Sequence, residues 1–137
     1  MQNLIKILVV EDDLASQKLA GAILKKYGEI DIVHNGLSAI DKIITKQYDI
    51  ILLDVNLGLG MNGIETLDKI KSINPDIPVV MLSSQDKIDV AVNCIHHKAY
   101  DYVVKSETSF MRLQRKINTL FNFREVEKEL GWYMERM

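Results

Sequence analysis

Hydrophobic positions along the first 123 residues fall into two alternating patterns. Short, continuous apolar runs rich in β-branched residues predict strands buried on both faces. Between these runs, apolar residues recur at three- and four-residue steps, the spacing of one helix face. Five strands are predicted in this way, at 6–10, 30–35, 48–54, 78–83 and 100–105. Strict alternation with five helical segments implies crossover connections, and therefore an α/β fold with a parallel sheet and helices on both faces.

The helical segments carry apolar stripes that predict which side chains face the sheet. In the first segment the stripe consists of Ala15, Leu19, Ala20, Ile23 and Leu24. The helix is predicted to stop at Gly28, a residue type suited to the end of a helix. In the second segment, Leu37, Ile40, Ile43 and Ile44 fall at helical spacing in the same way.

Length and composition predict a single domain. The chain has 137 residues, of which 47% are apolar and 26% charged, an ordinary globular mixture. No repeat or low-complexity tract interrupts it before about residue 123, so we assign residues 1–123 to one domain. Residues 124–137 are more charged; they either extend the last helix or begin a segment that the chain does not finish.

Charge and cysteine content narrow the range of partners. A formal net charge of −2 argues against direct nucleic-acid binding, which normally shows a basic footprint. No apolar run approaches the length of a membrane span, and the N-terminus lacks the features of a secretory signal. Cys94 is the only cysteine, which excludes an internal disulfide. We therefore expect a cytoplasmic protein that does not enter a membrane.

Chemically active side chains follow four of the predicted strands. In an open α/β sheet, ligands bind beyond the carboxyl ends of the strands, so groups at those ends share one edge if the strands are neighbours. The groups are Glu11, Asp12 and Asp13 after the first strand, Asp54 after the third, Ser83 after the fourth and Lys105 after the fifth.

This combination of groups suits metal-assisted phosphoryl chemistry. Clustered carboxylates raise one another's pKa, and Mg²⁺, which prefers oxygen ligands, removes that penalty. A carboxylate held in such a site can act as a nucleophile toward phosphorus, with Lys105 and Ser83 available to phosphoryl oxygens. A single strand-end aspartate is usually a turn former or a helix cap, so the prediction depends on the conjunction of groups.

At this point the chain resembles a known family over residues 4 to about 123. It is similar to the receiver domain of two-component response regulators, through the stretches ILVVEDD, YDIILLDVNL, MNGIE, IPVVMLSS and AYDYVVK. The resemblance implies a (βα)5 doubly wound, flavodoxin-like sheet with strand order 2-1-3-4-5. It also implies a signalling switch that phosphorylates and dephosphorylates itself and is not a turnover enzyme.

The resemblance assigns roles to residues by position. It implies that Asp54 accepts a phosphoryl group from a histidine kinase or a phosphotransfer protein, with Mg²⁺ as cofactor. The implied Mg²⁺ ligands are Glu11, Asp12, Asp54 and the backbone carbonyl of Asn56. The other implied roles are Lys105 and Ser83 as catalytic groups, Ser83 and Tyr102 as switch residues, and Asn56 and Gln85 as residues that set the lifetime of the acyl phosphate. The surface of the fourth helix, fifth strand and fifth helix is expected to bind a partner or a second copy.

Three departures from the family pattern bear on geometry. Gly58 stands where proline is usual, in a loop that is one residue longer than is common. Lys98 stands where glycine is common, before the fifth strand. Ser106 replaces the proline that usually follows the lysine, so we predict a trans bond between Lys105 and Ser106, because a cis bond without proline costs about 2.5–4 kcal/mol.

Three other functions remain possible from the residues alone. One is a constitutive pseudo-receiver that binds partners without phosphorylation, although every carried-over group is present. Another is a Mg²⁺-dependent phosphatase with an aspartate nucleophile, which usually carries a second acid two residues after the first, where this chain has Asn56. The third is a flavin-binding flavodoxin-like protein, whose hydroxyl- and glycine-rich first loop is absent here.

Overall fold

The computed structural model describes residues 5–58, 60–84, 87–105 and 112–120. The chain divides into two units, the first ending at Lys105 and the second beginning at Ser106. Within the described part of the second unit, residues 112–120 are helical. The elements of the first unit are β1 (Ile5–Val10), α1 (Leu14–Leu24), β2 (Gly28–Val33), α2 (Gly36–Thr45), β3 (Ile50–Asp54), α3 (Gly63–Ile73), β4 (Val79–Ser83), α4 (Ile88–His96) and β5 (Asp101–Val104).

The five strands form one sheet in the order β2-β1-β3-β4-β5, and each adjacent pair is parallel. The predicted fold class and strand order are therefore confirmed. Every residue of β3 and β4 is buried, as their continuous apolar runs predict for central strands covered on both faces. Because all strands run in the same direction, their carboxyl ends meet at one edge of the sheet.

Helices cover both faces of this sheet. Alternate residues of a strand point to opposite faces. Leu8 and Leu53 belong to a core cluster that also contains buried side chains of α2, α3 and α4, so these helices share one face. Helix α1 covers the other face, since Gly21 approaches Ile32, the register partner of Val9. The crossovers thus place helices on both sides, as the alternation predicts.

The apolar stripe predicted for α1 is partly wrong. Ala20 and Leu24 are buried as expected, but Leu19 is 46% exposed, and the third buried residue of the helix is Gln17. Neighbouring residues on a helix point about 100° apart, so a helix that buries Ala20 turns Leu19 toward solvent. On α2, Leu37 and Ile44 are likewise exposed, whereas Ala39 is buried.

Gly28, the first residue of β2, and Lys98, which lies before β5, adopt backbone conformations that favour glycine. Gly28, predicted to end the first helical segment, follows a short 3-10 turn at Lys25–Tyr27 and has a φ of 155°. A Cβ atom at Gly28 would lie 1.9 Å from the backbone oxygen of Ile5, which excludes any other residue at this φ. Lys98 has a φ of 72°, the left-handed conformation in which glycine commonly terminates a helix.

Candidate functional site

Three acidic side chains lie together at the carboxyl edge of the sheet. Glu11 follows β1 directly, Asp12 is the next residue, and Asp54 is the last residue of β3. Each offers a carboxylate oxygen, and these oxygens all lie within 4.8 Å of one another. Glu11 and Asp54 are buried, with 1% and 4% of their surfaces exposed, whereas Asp12 is exposed. The pairing of β1 with β3 brings together residues that are more than 40 positions apart in sequence.

Lys105 places one positive charge between the two buried acids. Its Nζ lies 2.5 Å from Oε2 of Glu11 and 3.0 Å from Oδ2 of Asp54. Its backbone N–H donates a 2.6 Å hydrogen bond to the carbonyl oxygen of Ser83, which holds the end of β5 beside β4. The lysine is therefore fixed at its backbone and directed toward the acidic cluster.

The surroundings of Glu11 and Lys105 raise the pKa of each group above its ordinary value, for different reasons. Burial raises the pKa of Glu11 to about 7, helped by its hydrogen bond with Asp54 and opposed by Lys105. Burial alone would lower the pKa of Lys105, but hydrogen bonds to Glu11 and Asp54 hold its pKa above the ordinary value. The positive charge of Lys105 therefore does not fully compensate the negative charge of the clustered carboxylates. An additional cation would be bound favourably beside them.

The raised pKa of Glu11 predicts that metal-free protein loses stability as the pH increases. Between pH 4.5 and about 7 the folded state retains a proton that the unfolded state has released, so the free energy of unfolding falls across this window. The full loss is about 3 kcal/mol, because one pKa unit corresponds to about 1.4 kcal/mol. In Glu11→Gln this dependence will be absent, and the variant will be more stable than wild type at pH 8. Urea unfolding in chelator at several pH values measures the difference.

The matched control is Glu29→Gln, which changes an exposed glutamate on β2. Its unfolding free energy should follow that of the wild type at each pH. If Glu11→Gln and the wild type differ by the same amount at pH 4.5 and at pH 8, the interpretation of the Glu11 environment is wrong.

Ser83 and Tyr102 both lie on strands next to the acidic cluster. Ser83 is the last residue of β4 and is 1% exposed. Tyr102 is 9% exposed, pairs in register with Met81 of β4 and belongs to the core cluster. A hydroxyl group is therefore present at the same sheet edge as the acids, one strand away from Asp54.

The loop after β3 folds back on the acids. The backbone N–H of Asn56 donates a 3.0 Å hydrogen bond to Oδ1 of Asp54, so both oxygens of this carboxylate have a partner. Gly58 has a φ of 70°, and a Cβ atom there would lie 3.0 Å from Oδ2 of Asp12. The glycine that stands in place of the usual proline thus provides both the left-handed turn and the space beside Asp12.

Asp13, the third acid after β1, has a different role. Its Oδ2 accepts hydrogen bonds from the backbone N–H and the hydroxyl of Ser16, at 2.9 and 2.8 Å, and it caps the N-terminus of α1. The bonds from Ser16 lower the pKa of Asp13. The cluster of acids in the sequence therefore divides into two that face Asp54 and one that starts a helix.

A further contact at this edge was not predicted from the sequence. Gln17 of α1 is buried, and its side chain donates to the backbone oxygen of Glu11. The only sequence signal is a polar residue at a position that shares a helix face with Ala20 and Leu24. Three predictions concern residues outside the described ranges: the lifetime role of Gln85, the trans bond between Lys105 and Ser106, and the assignment of residues 124–137.

These features coincide with a known family. The sequence pattern of the response regulator receiver domain matches residues 7–118, most of the chain. The chain belongs to the response regulator receiver family. The predicted relationship is therefore confirmed: this is a receiver domain of a two-component response regulator, a signalling family whose members interact with histidine kinases.

Curated relatives contain this receiver domain within longer proteins. The chain is 37% identical over 102 residues to transcriptional regulatory protein ZraR of Klebsiella oxytoca, covering 74% of this chain and 23% of that protein. It is 32% identical over 111 residues to a protein-glutamate methylesterase/protein-glutamine glutaminase of Clostridium acetobutylicum, covering 77% of this chain and 32% of that protein. The chain thus spans less than a third of either relative.

A solved receiver has the same fold. The CheY-like response regulator receiver domain protein from Methanospirillum hungatei JF-1 superposes with a TM-score of 0.80 at 25% identity. The match covers 91% of this receiver chain and 99% of the other.

Among the helices in the described ranges, none is long and apolar enough to span a membrane.

Proposed function

We propose that this receiver is a phosphoacceptor switch in which Asp54 takes a phosphoryl group from the phosphohistidine of a histidine kinase or a phosphotransfer protein. The observation that carries the proposal is the environment of the Asp54 carboxylate. It is buried, is oriented by the N–H of Asn56 and contacts the ammonium of Lys105, and it lies beside two further acids. A carboxylate held in this way is oriented for attack on phosphorus.

The donor set fits Mg²⁺. The three carboxylates offer hard oxygen ligands within 4.8 Å of one another, and Lys105 supplies the one compensating charge found among the described contacts of the two buried acids. Glu11, Asp12, Asp54 and the backbone carbonyl of Asn56 would hold the ion. When bound, Mg²⁺ neutralises charge on the carboxylates and on phosphoryl oxygens.

The chain's own groups then have distinct parts in the transfer. An oxygen of Asp54 forms a bond to phosphorus as the bond from phosphorus to the donor imidazole nitrogen breaks, and the imidazole leaves. Lys105, which holds Asp54 in the unmodified protein, is in reach of a phosphoryl oxygen on the same carboxylate. The Ser83 hydroxyl supplies a second donor, and the glycine-containing loop after β3 lets backbone amides approach the group.

The same proposal extends to signalling. The phosphoryl group draws Ser83 inward and Tyr102 follows, which changes the surface of α4, β5 and the last helix for a partner or for a second copy of the chain. Asn56 and Gln85 tune how fast water removes the group. The receiver spans residues 1–123, residues 124–137 extend its last helix or begin a further segment, and the domain acts as a switch and not as a turnover enzyme.

Intact-mass measurement after incubation with acetyl phosphate tests the proposal. We expect one added phosphoryl group in the presence of Mg²⁺, none in chelator, and removal of the group by hydroxylamine, which cleaves acyl phosphates. Absence of an adduct at saturating Mg²⁺ would refute the proposal in favour of a pseudo-receiver. Sustained hydrolysis of a phosphomonoester would instead identify a phosphatase.

Asp12→Ala should weaken Mg²⁺ binding by more than about tenfold, because it removes one of three anionic ligands. It leaves Asp54 in place, so phosphorylation will be slow at low Mg²⁺ and will recover as Mg²⁺ increases. Asp13→Asn is the matched control, since asparagine also caps helices and Asp13 bonds Ser16. The phosphorylation rates of the two variants, measured over a range of Mg²⁺ concentrations, are compared with those of the wild type. An Asp12→Ala protein with the wild-type Mg²⁺ dependence would contradict the metal assignment.

A further inference from the structure

Gln17 is a polar side chain in a core position. It shares the buried stripe of α1 with Ala20 and Leu24 and is 6% exposed. A buried amide without hydrogen bonds would destabilise the fold, and an apolar residue would pack at this position without that penalty. The amide therefore requires partners, and its partners indicate what it does.

The amide of Gln17 has two partners on different strand ends. Its Nε2 donates a 2.6 Å hydrogen bond to the backbone oxygen of Glu11 and lies 2.7 Å from Nδ1 of His34. The reversed amide would place Oε1 against the carbonyl oxygen of Glu11, where two acceptors repel, so the orientation with Nε2 toward both groups is the stable one. His34 then accepts at Nδ1 and carries its proton on Nε2. Gln17 thus links the ends of β1 and β2.

The backbone of Glu11 is held on both sides as a result. Its N–H donates to the carbonyl oxygen of Val33 at 3.0 Å, and its carbonyl oxygen accepts from Gln17. These two bonds fix the peptide groups that flank the Cα atom of Glu11. The direction in which its side chain leaves the backbone, toward Lys105 and Asp54, is fixed with them.

We propose that Gln17 is a positioning residue for the acidic cluster. Through the carbonyl oxygen of Glu11 it holds the segment that carries Glu11 and Asp12, and His34 holds the Gln17 amide in the orientation that this requires. Gln17 thereby sets the affinity of the cluster for a divalent cation, a consequence that rests on the proposed function. It acts through Glu11 and touches neither the ion nor the phosphoryl group.

Gln17→Met separates this role from packing. Methionine has similar length, fills the same buried space and lacks the donor, so the helix and the core are retained. Groups that orient metal ligands typically contribute 10–100-fold to metal affinity. We therefore expect the Mg²⁺ dissociation constant of Gln17→Met to be about tenfold higher than that of the wild type. His34→Ala, a change at an exposed residue, should give a smaller effect in the same direction.

Two measurements on the full chain test the proposal. The first is the Mg²⁺ dissociation constant by titration. The second uses metal-free protein and compares amide hydrogen exchange at Glu11 with exchange at Leu52, which lies in the centre of β3 and reports global unfolding. In Gln17→Met the ratio of the Glu11 rate to the Leu52 rate should increase by about two- to tenfold, the range expected for one lost hydrogen bond. Ala20→Gly, a destabilising change on the same helix stripe, is the control and should leave the ratio and the dissociation constant unchanged.

The outcomes are distinct. The proposal is supported if the exchange ratio and the Mg²⁺ dissociation constant both increase in Gln17→Met and if neither changes in Ala20→Gly. An unchanged ratio, or equal changes in the two variants, overturns it, because Gln17 would then act only through packing. If wild-type protein binds no Mg²⁺, the proposed function fails, and the exchange ratio still decides whether Gln17 holds Glu11.

Discussion

Replacing Asp54 by asparagine will abolish the phosphoryl adduct that wild-type protein forms with acetyl phosphate and Mg²⁺. The amide has the shape of the carboxylate but is not a nucleophile toward phosphorus, so no increase in Mg²⁺ concentration will restore the adduct. This separates Asp54→Asn from Asp12→Ala, where added Mg²⁺ recovers phosphorylation. Intact-mass spectra of Asp54→Asn and Asp12→Ala, recorded over a series of Mg²⁺ concentrations, measure the fraction of each variant that carries the adduct. The fold should remain, because Lys105 keeps its contact with Glu11.

The control is Asp49→Asn, which makes the same substitution just before the other end of β3. Asp49 accepts a 2.7 Å hydrogen bond from the backbone N–H of Lys6, and the asparagine oxygen can accept the same bond. This variant should be phosphorylated like the wild type. A full adduct on Asp54→Asn would mean that another residue is the acceptor, and the proposed function would have to be rebuilt around that residue.

Gly63→Ala will destabilise the protein by about 3 kcal/mol or more, the upper end of the range for overpacked sites. Gly63 is the first residue of α3, and its N–H donates to the carbonyl oxygen of Val55 at 3.1 Å. A Cβ atom there would lie 2.5 Å from the backbone oxygen of Asp54 and 2.7 Å from Val55 Cα. These are backbone atoms that cannot move aside without displacing the end of β3. Urea unfolding measures the loss, and slower phosphorylation should accompany it.

Gly21→Ala is the matched control within α1. A Cβ atom at Gly21 would meet only the Cδ1 atom of Ile32, at 3.9 Å, which is ordinary van der Waals contact. Alanine favours a helix interior over glycine by about 0.5–1 kcal/mol, so this variant should be more stable than the wild type. Equal unfolding free energies for the two variants would show that the approach of α3 to β3 is looser than the structure indicates.

The existence of the strands was predictable from patterns within the sequence, whereas their order came from the resemblance to receiver domains. The continuous apolar runs of β3 and β4 are found at the centre of the sheet, and their boundaries shift by at most two residues. Helix faces were less predictable. The apolar pattern placed both Leu19 and Ala20 on the buried stripe, but only Ala20 is buried and Leu19 is exposed. Which of two adjacent apolar residues is buried depends on how closely a helix approaches its sheet.

The acids of the site were predictable because strand ends in a parallel sheet share an edge, which turns a sequence position into a spatial one. The different roles of these acids were not predictable from the residues alone and came only from the resemblance to the family. Asp12 and Asp13 are neighbours of the same type, yet Asp13 caps α1 and Asp12 faces Asp54. Gln17 was missed for a related reason. A polar side chain is buried only where distant segments supply its partners, and no local pattern indicates that the end of β2 will do so.

The crowded carboxylates have a consequence for protein engineering. Glu11 is almost fully buried, and its environment favours the uncharged form. A substitution that removes its charge should therefore rank high in any selection for thermal resistance, ahead of most changes at the surface. That selection would favour loss of the group that the proposed switch needs, so stability and signalling select in opposite directions at this position. Thermostable variants of this receiver will need to be screened for phosphorylation as well as for folding.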